Sequence, residues 1–249
     1  MDIERYLAEG GRVTSPQGLP PRYRAELLRL MATFVDSSLA GAAGFADIIN
    51  AAPGIEARIA AAKIVLEKTD HAGRVLRVMA DFGADTARYA THHPWTGRLP
   101  RSAPPEARLD TPDQRLSVFA FPLDGWTDAV VMNLVMGTAA GVQMDDLVQV
   151  SYQPLAEAVR DIAPREARHT GLAAEGLAQA LARGDRDRVA ASLAYWTPRV
   201  AQGFGSGRPE RLAQLTRFGL RHTAPETQAA RWRAALGQAL APHGLSLPG

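Results

Sequence analysis

Apolar residues recur three and four positions apart through four long stretches of this chain, a spacing that places them on one face of an α-helix. The stretches cover residues 21–49, 55–82, 126–150 and 155–181. Residues that interrupt helices separate them, including Pro53 after the first stretch, Gly83 after the second and Gly184 after the fourth. The pattern therefore predicts four long helices in two consecutive pairs.

The segment between the two pairs has a different character. Six prolines fall between residues 92 and 122, a density that a packed helix does not tolerate. We predict a long crossover connection here, and two antiparallel helix pairs joined by one long crossover form a ferritin-like four-helix bundle. Beyond the bundle, shorter amphipathic patterns predict helices at 187–200 and 224–240.

The expected fold is therefore all-α. We divide the chain into an N-terminal arm (1–20), the ferritin-like bundle (21–183, with its crossover at about 92–122) and a C-terminal helical extension (184–249). The extension is expected to pack on the bundle, because its helices carry an apolar face that needs a partner.

Composition narrows the functions open to this fold. The chain has 249 residues, of which 46% are hydrophobic, enough for one well-buried domain. A formal net charge of +2 without a basic cluster gives no support to nucleic-acid binding. No apolar run reaches the roughly 18 to 20 residues that span a bilayer, and the first residues lack the order of a signal peptide. We therefore expect a cytoplasmic protein that does not bind membranes.

Candidate metal ligands lie on the second and fourth predicted helices. The chain has no cysteine, so a transition metal would need histidine and carboxylate ligands. Glu166 and His169 are three residues apart, which puts a carboxylate and an imidazole on one helix face. His71 has a similar place on the second helix, but the residue three positions before it is Lys68. A cation stands where a metal site needs an anion.

Several segments resemble the large subunits of phenylacetyl-CoA epoxidase, a multicomponent oxygenase of aromatic degradation, and its catalytic subunit in particular. They follow the same order from about residue 19 to the C-terminus: Leu19-Pro-Pro-Arg-Tyr23, Ala51-Ala-Pro53, His71-Ala-Gly73, Tyr152-Gln-Pro154, Glu166-Ala-Arg-His169 and Trp196-Thr-Pro198. The resemblance implies a non-haem di-iron monooxygenase that acts on a CoA thioester. It also implies a homo- or hetero-oligomer with another ferritin-like subunit, and a reductase as electron donor.

The resemblance further implies six iron ligands, which this chain matches only in part. Carried over one at a time, the acid of helix one falls on Ser38, the pair of helix two on Lys68 and His71, the acid of helix three on Gly137, and the pair of helix four on Glu166 and His169. Three of the six ligands are present. The family also contains a related subunit that has lost its ligands and supports the catalytic one.

Other acids could restore the ligand set only if the alignment shifted. A shift of one residue in helix two would place Glu67 at the acid position and Asp70 at the histidine position. Asp36, Asp145 and Asp146 could contribute only if helices one and three moved. We prefer the alignment without gaps, and we expect Asp36, Asp145 and Asp146 to be solvated or capping acids.

Lys68 is unusual because the 28 basic residues include only one other lysine, Lys63. A compact ammonium can occupy the place of a metal ion and neutralise a facing carboxylate. Our hypothesis is a buried ion pair between Lys68 and Glu166, bracketed by His71 and His169, in place of the irons. The alternative is that Lys68 extends along the surface to reach solvent and has no contact with Glu166.

Three functions remain open for this site of Lys68, His71, Glu166 and His169. The leading interpretation is a subunit with a degenerate di-iron site and no bound cofactor, which acts as a partner in an oxygenase complex. The alternative is an active monooxygenase in which two histidines and one carboxylate hold non-haem iron, although the nearby ammonium opposes a divalent cation. The third is a bundle that binds a small molecule alone, which requires a large apolar pocket.

Overall fold

The fold was analysed in a computed structural model that describes residues 2–92, 94–205 and 209–248. In these residues the chain forms nine α-helices: α1 (Ile3–Ala8), α2 (Pro21–Ile48), α3 (Ile55–Ala80), α4 (Thr86–His92), α5 (Gly125–Leu147), α6 (Gln153–Ala182), α7 (Arg186–Ala201), α8 (Pro209–Arg217) and α9 (Pro225–Leu240). Short 3-10 turns follow α2, α7 and α9, and another lies at Ser117–Ala120. The prediction of an all-α fold is confirmed.

The four long predicted helices correspond to α2, α3, α5 and α6, with ends that differ by at most three residues. The closest pairs are α2 with α3 and α5 with α6, while α3 also meets α6 and α2 meets α5. Val130 lies against Gly176, and Thr170 lies against Gly137, so α5 and α6 run antiparallel. These contacts close a ring of four helices around an apolar core.

Helix α5 is buried on nearly every side, and its sequence explains why. Residues 127–135 are all buried, because α6 covers one side of the helix and α7 and α9 cover the other. A helix that is apolar all round needs such an environment. The side chains of Trp196 on α7 and Trp232 on α9 are fully buried in this layer, and the indole of Trp232 donates to the carbonyl of Val135 at 3.1 Å.

Buried polar side chains hold the crossover, in addition to the apolar packing of Val118 and Phe121 against the helices. Arg115 and Asp113 form a buried ion pair of 2.6 Å, and the same guanidinium donates to the carbonyls of Pro94, Trp95 and Gly97. These contacts satisfy backbone groups that the prolines leave outside regular structure. The crossover is therefore an ordered wall of the bundle, and part of it faces the site.

Three helices were not predicted: α1, α4 and α8, of six, seven and nine residues. The division of the chain into arm, bundle and extension stays a prediction, although α7 and α9 do pack on α5. Across the described residues, no helix combines the length and apolar character that crossing a membrane requires.

Candidate functional site

The site lies where α3 faces α6, at the centre of the bundle. The ammonium nitrogen of Lys68 is 2.9 Å from Oε2 of Glu166 and 3.1 Å from Oε1. The side chains of Lys68 and Glu166 are 14% and 9% exposed. The predicted ion pair is therefore present, and the alternative in which Lys68 reaches the surface without touching Glu166 is wrong.

Two histidines bracket this pair. Nδ1 of His71 is 2.9 Å from Oε1 of Glu166, and because a carboxylate accepts, this nitrogen carries the proton. His169 turns its Nδ1 toward the same oxygen at 3.7 Å, too far for a hydrogen bond. The two imidazole rings are stacked with their centroids 6.0 Å apart. Glu166 therefore has a cation on one side and two ring nitrogens on the other.

The orientation of His169 depends on Glu67, a residue that has no ligand position in the alignment without gaps. Nε2 of His169 lies 2.7 Å from Oε2 of Glu67, so this nitrogen donates to the carboxylate. Glu67 also accepts from Arg168 at 3.2 Å, and the two partners lower the pKa of the Glu67 carboxyl although its burial acts in the opposite direction. Glu67 thus fixes the tautomer and the ring of His169 from outside the pair.

The charge state of Glu166 follows from its neighbours. Burial alone would raise its pKa, because a dry environment disfavours the charged form. The Lys68 ammonium and the adjacent imidazoles outweigh burial, and the pKa of Glu166 lies well below its usual range. The carboxyl is therefore ionised at neutral pH.

The contacts across α3 and α6 show which residues of helix two face the site. Lys68 and His71 face Glu166, whereas Asp70 accepts from Arg74 and Arg165 at 2.8 Å and is partly exposed. Asp70 thus does not occupy the place of a ligand. The alignment without gaps, in which Lys68 and His71 take the two ligand positions of helix two, stays a prediction, since Glu67 also contacts the site through His169.

The expectation of solvated or capping acids at the other positions is wrong for two of three residues. Asp36 is fully buried and accepts from the hydroxyl of Tyr89, the indole of Trp95 and the amide of Gln114. Its carboxylate binds Trp95 and Gln114 of the crossover. A helical period cannot predict partners this distant in the sequence. Asp146 is also buried and accepts from the amide of His222 at 3.0 Å, whereas Asp145 is exposed.

Ser38 and Gly137, which stand where the resemblance expects acids, both line a cavity between α2 and α5. The cavity has a volume of about 190 Å³, and Lys68 and Glu166 line it as well. Its other walls come partly from the crossover, through Phe119, Phe121 and Arg98. These last residues could not be predicted from the sequence, because a proline-rich segment has no period that relates it to a helix face.

The residues at this place do not fit a metal centre. The ammonium of Lys68 bonds to both oxygens of the central carboxylate, and neither Ser38 nor Gly137 supplies the carboxylate that a second metal would need. Over the described ranges, no group of three or more histidine, aspartate or glutamate side chains is arranged to hold a metal ion. The central carboxylate is bonded to the ammonium of Lys68 instead.

Comparison with known proteins identifies the family of this chain. No curated protein matches the chain. A family model described as phenylacetic acid catabolic protein matches residues 11–249, which is nearly the whole chain and includes every residue of the site. The chain therefore belongs to the phenylacetic acid catabolic protein family.

Proposed function

We propose that this chain is a subunit of a phenylacetyl-CoA epoxidase-type oxygenase complex, in which the Lys68–Glu166 ion pair takes the place of the di-iron centre. The observation that carries the proposal is the contact of one ammonium with both oxygens of Glu166, between His71 and His169. The charge at the centre is then balanced without a metal. The proposed role is that of a partner to a second, ferritin-like subunit that performs the oxygenation.

The position of the pair explains how it could replace a metal structurally. Lys68 belongs to the first helix pair and Glu166 to the second, so their contact joins the two halves of the bundle. A metal centre in a ferritin-like bundle also draws ligands from both pairs. An ammonium and a carboxylate have no redox chemistry with oxygen, so the reductase and the CoA thioester would be engaged by the complex through its metal-bearing subunit.

A second candidate is an active monooxygenase in which His71, Glu166 and His169 hold iron. The observation in its favour is that Nδ1 of both histidines faces the same oxygen of Glu166, at 2.9 and 3.7 Å. Lys68 opposes it, because a divalent cation within a few ångströms of an ammonium is repelled by several kcal/mol at an intermediate effective dielectric. This candidate requires that Lys68 leave the site.

Affinity purification of the tagged chain from its native host tests the proposal. The expected result is a stoichiometric complex with a ferritin-like protein that carries the iron, while the isolated chain holds far less than one iron or manganese per molecule. A chain that purifies alone with a full complement of iron, and that oxygenates a CoA thioester with a reductase, overturns the proposal. A chain that purifies alone and holds no metal also overturns it, and favours a small-molecule-binding bundle.

A further inference from the structure

We propose that the outer face of α3 is a self-association surface, on which a second copy of this chain packs with its own α3 antiparallel to the first. The surface consists of an apolar stripe on α3, formed by Ile55, Ile59, Ala62 and Leu66, and of a groove beside it. The inference requires neither a metal nor an oxygenase complex, so it goes beyond the proposed function.

The stripe contains most of the large apolar side chains that the protein exposes. The described part of the chain has four such residues, and three of them lie on α3: Ile55, Ile59 and Leu66, which are 76%, 50% and 69% exposed. Together with the exposed Ala62 they are four, three and four residues apart, so they share one helix face within about 60°. Single exposed apolar residues are common, but a contiguous row of them marks an interaction surface.

A groove lies beside the stripe, on the side of α3 that faces α2. Its volume is about 270 Å³, and its walls include small and apolar side chains of both helices and of the crossover: Ala42, Ala43, Ala46, Val65 and Trp95. Val65 precedes Leu66 in the chain, so the groove and the stripe are adjacent. An apolar cavity of about 150 Å³ accepts benzene, so this groove has room for the side chain of an isoleucine or a leucine.

A projecting apolar row beside an apolar groove makes the surface complementary to itself. In a contact with two-fold symmetry both copies present the same patch, so the row of each copy lies against the groove of the other. One patch then supplies both halves of the interface. This self-complementarity favours a second copy of the chain as the occupant.

Two charged residues beside the stripe favour the antiparallel arrangement. Glu56 and Lys63 are exposed, lie on the same side of the stripe because they are seven residues apart, and form no ion pair among the described residues. A two-fold axis that passes between Ile59 and Ala60 is midway between them. In an antiparallel pair this axis brings Glu56 of each copy to Lys63 of the other. A parallel pair would leave these opposite charges two helical turns apart, about 10 Å along the axis.

The same axis also brings the apolar residues together. It places Ile59 against Ile59 of the second copy at the centre of the contact, and Ile55 within one residue of the level of Val65 in the groove wall. Arg58, on the other side of the stripe, donates to the carbonyl of Asn50 at 3.4 Å within its own chain. One arrangement therefore buries the stripe and forms two ion pairs.

Analytical ultracentrifugation of the isolated chain tests the proposal. The expected result is a species with twice the 26.7 kDa mass of one chain, and a dissociation constant of about 10 µM or lower. A chain that remains monomeric at about 100 µM overturns the proposal. If Leu66→Asp abolishes purification with a ferritin-like partner while the isolated chain is monomeric, the surface belongs to that partner, and the proposal is likewise overturned.

Substitutions in the stripe locate the interface. Ile59→Asp and Leu66→Asp are each expected to raise the dissociation constant about thirtyfold or more, because they place a charge in an apolar contact. The matched control is Ala234→Asp, at an exposed position of α9, which is expected to dimerise within about twofold of the unmodified chain. Circular dichroism checks that each variant is folded. A dimer that is as stable in Ile59→Asp as in Ala234→Asp overturns the proposed surface.

A charge exchange tests the antiparallel arrangement. Glu56→Lys and Lys63→Glu are each expected to weaken the dimer about threefold or more, because each places like charges together at two positions. The double variant Glu56→Lys/Lys63→Glu restores opposite charges, so its dissociation constant is expected to return to within about twofold of the original. A double variant that is as weak as the sum of the single ones overturns this arrangement.

A cysteine at the axis provides an independent measurement, because the unmodified chain has none. Oxidation of Ile59→Cys is expected to give a disulfide-linked dimer on a non-reducing gel, whereas Ala234→Cys remains unlinked. Equal cross-linking of the two variants overturns the proposed axis. These measurements use the isolated chain, and the proposed function is tested by purification from the native host, so failure of one proposal is distinguishable from failure of the other.

Discussion

The hydroxyl oxygen of Thr170 lies 2.5 Å from the position that a Cβ atom would occupy on Gly137. This hydroxyl also donates to the backbone carbonyl of Glu166 at 3.1 Å, and threonine has few rotamers in a helix. Any larger side chain at position 137 therefore needs Thr170 to move. The absence of an acid at this position is coupled to the packing of α6 on α5, so a single substitution cannot restore a ligand there.

Replacement of Gly137 by alanine is expected to lower the free energy of unfolding by about 1 to 3 kcal/mol, because overpacking outweighs the better helix propensity of alanine. Urea denaturation measures the change. Gly141→Ala is the matched control on the same helix. A Cβ atom at this position meets nothing within 4 Å, so the substitution is expected to stabilise by about 0.5 to 1 kcal/mol. If Gly137→Ala stabilises as Gly141→Ala does, the close approach of Thr170 is not rigid.

Replacement of Lys68 by methionine is expected to lower the free energy of unfolding by about 3 to 5 kcal/mol, because the substitution leaves Glu166 charged and buried without its counter-ion. The control is Lys63→Met on the exposed side of the same helix, with an expected change within about 0.5 kcal/mol. The double variant Lys68→Met/Glu166→Met should recover much of the loss, since two apolar residues can replace a buried pair. Equal stability of the two lysine variants would contradict a structural role for the pair.

The loss caused by Lys68→Met is also expected to depend on pH. In the unmodified chain the folded-state pKa of Glu166 lies well below its ordinary value near 4.5. Its carboxylate therefore stabilises the fold above that pH, and this contribution is lost as the pH falls below it. In the variant, burial is no longer opposed by the ammonium, so the pKa of Glu166 rises and protonation favours the folded state.

The difference in unfolding free energy between the two proteins should therefore narrow on acidification from about pH 7 to about pH 4. Denaturation series across this range measure it, with Lys63→Met as the reference for other titrating groups. A difference that stays constant with pH means that Lys68 does not set the ionisation of Glu166.

Much of the fold follows from the hydrophobic pattern, because α2, α3 and α6 each bury one face and α5 is apolar on nearly every side. The period predicted α2, α3, α5 and α6 to within a few residues. It could not predict α1 or α4, which have six and seven residues and so span less than two helical turns. Isolated helices this short are unstable in water, and tertiary contacts decide whether they form.

The site could be predicted in part, and its limits are physical. The contact between Lys68 and Glu166 follows from one helical spacing on each of two helices. The roles of Glu67, Asp36 and Arg98 do not, because each depends on a partner whose position is set by packing elsewhere. Asp36 shows this most clearly, since its burial is decided by a crossover more than fifty residues away along the chain.

Asp128 lies at the junction of the crossover, α5 and α7. Its buried carboxylate accepts from Arg101, from the hydroxyl of Ser192 at 2.7 Å and from the indole of Trp196 at 2.9 Å. Asp128→Ala leaves these donors unsatisfied and is expected to lower the free energy of unfolding by about 3 to 5 kcal/mol. Asp124→Ala is the control, because that side chain is 76% exposed and approaches the same arginine no closer than 3.7 Å. Its expected change in unfolding free energy is within about 0.5 kcal/mol. Hydrogen exchange should show the Asp128→Ala loss first in the crossover, whereas protection that falls evenly over the bundle would mean that Asp128 does not fasten this segment.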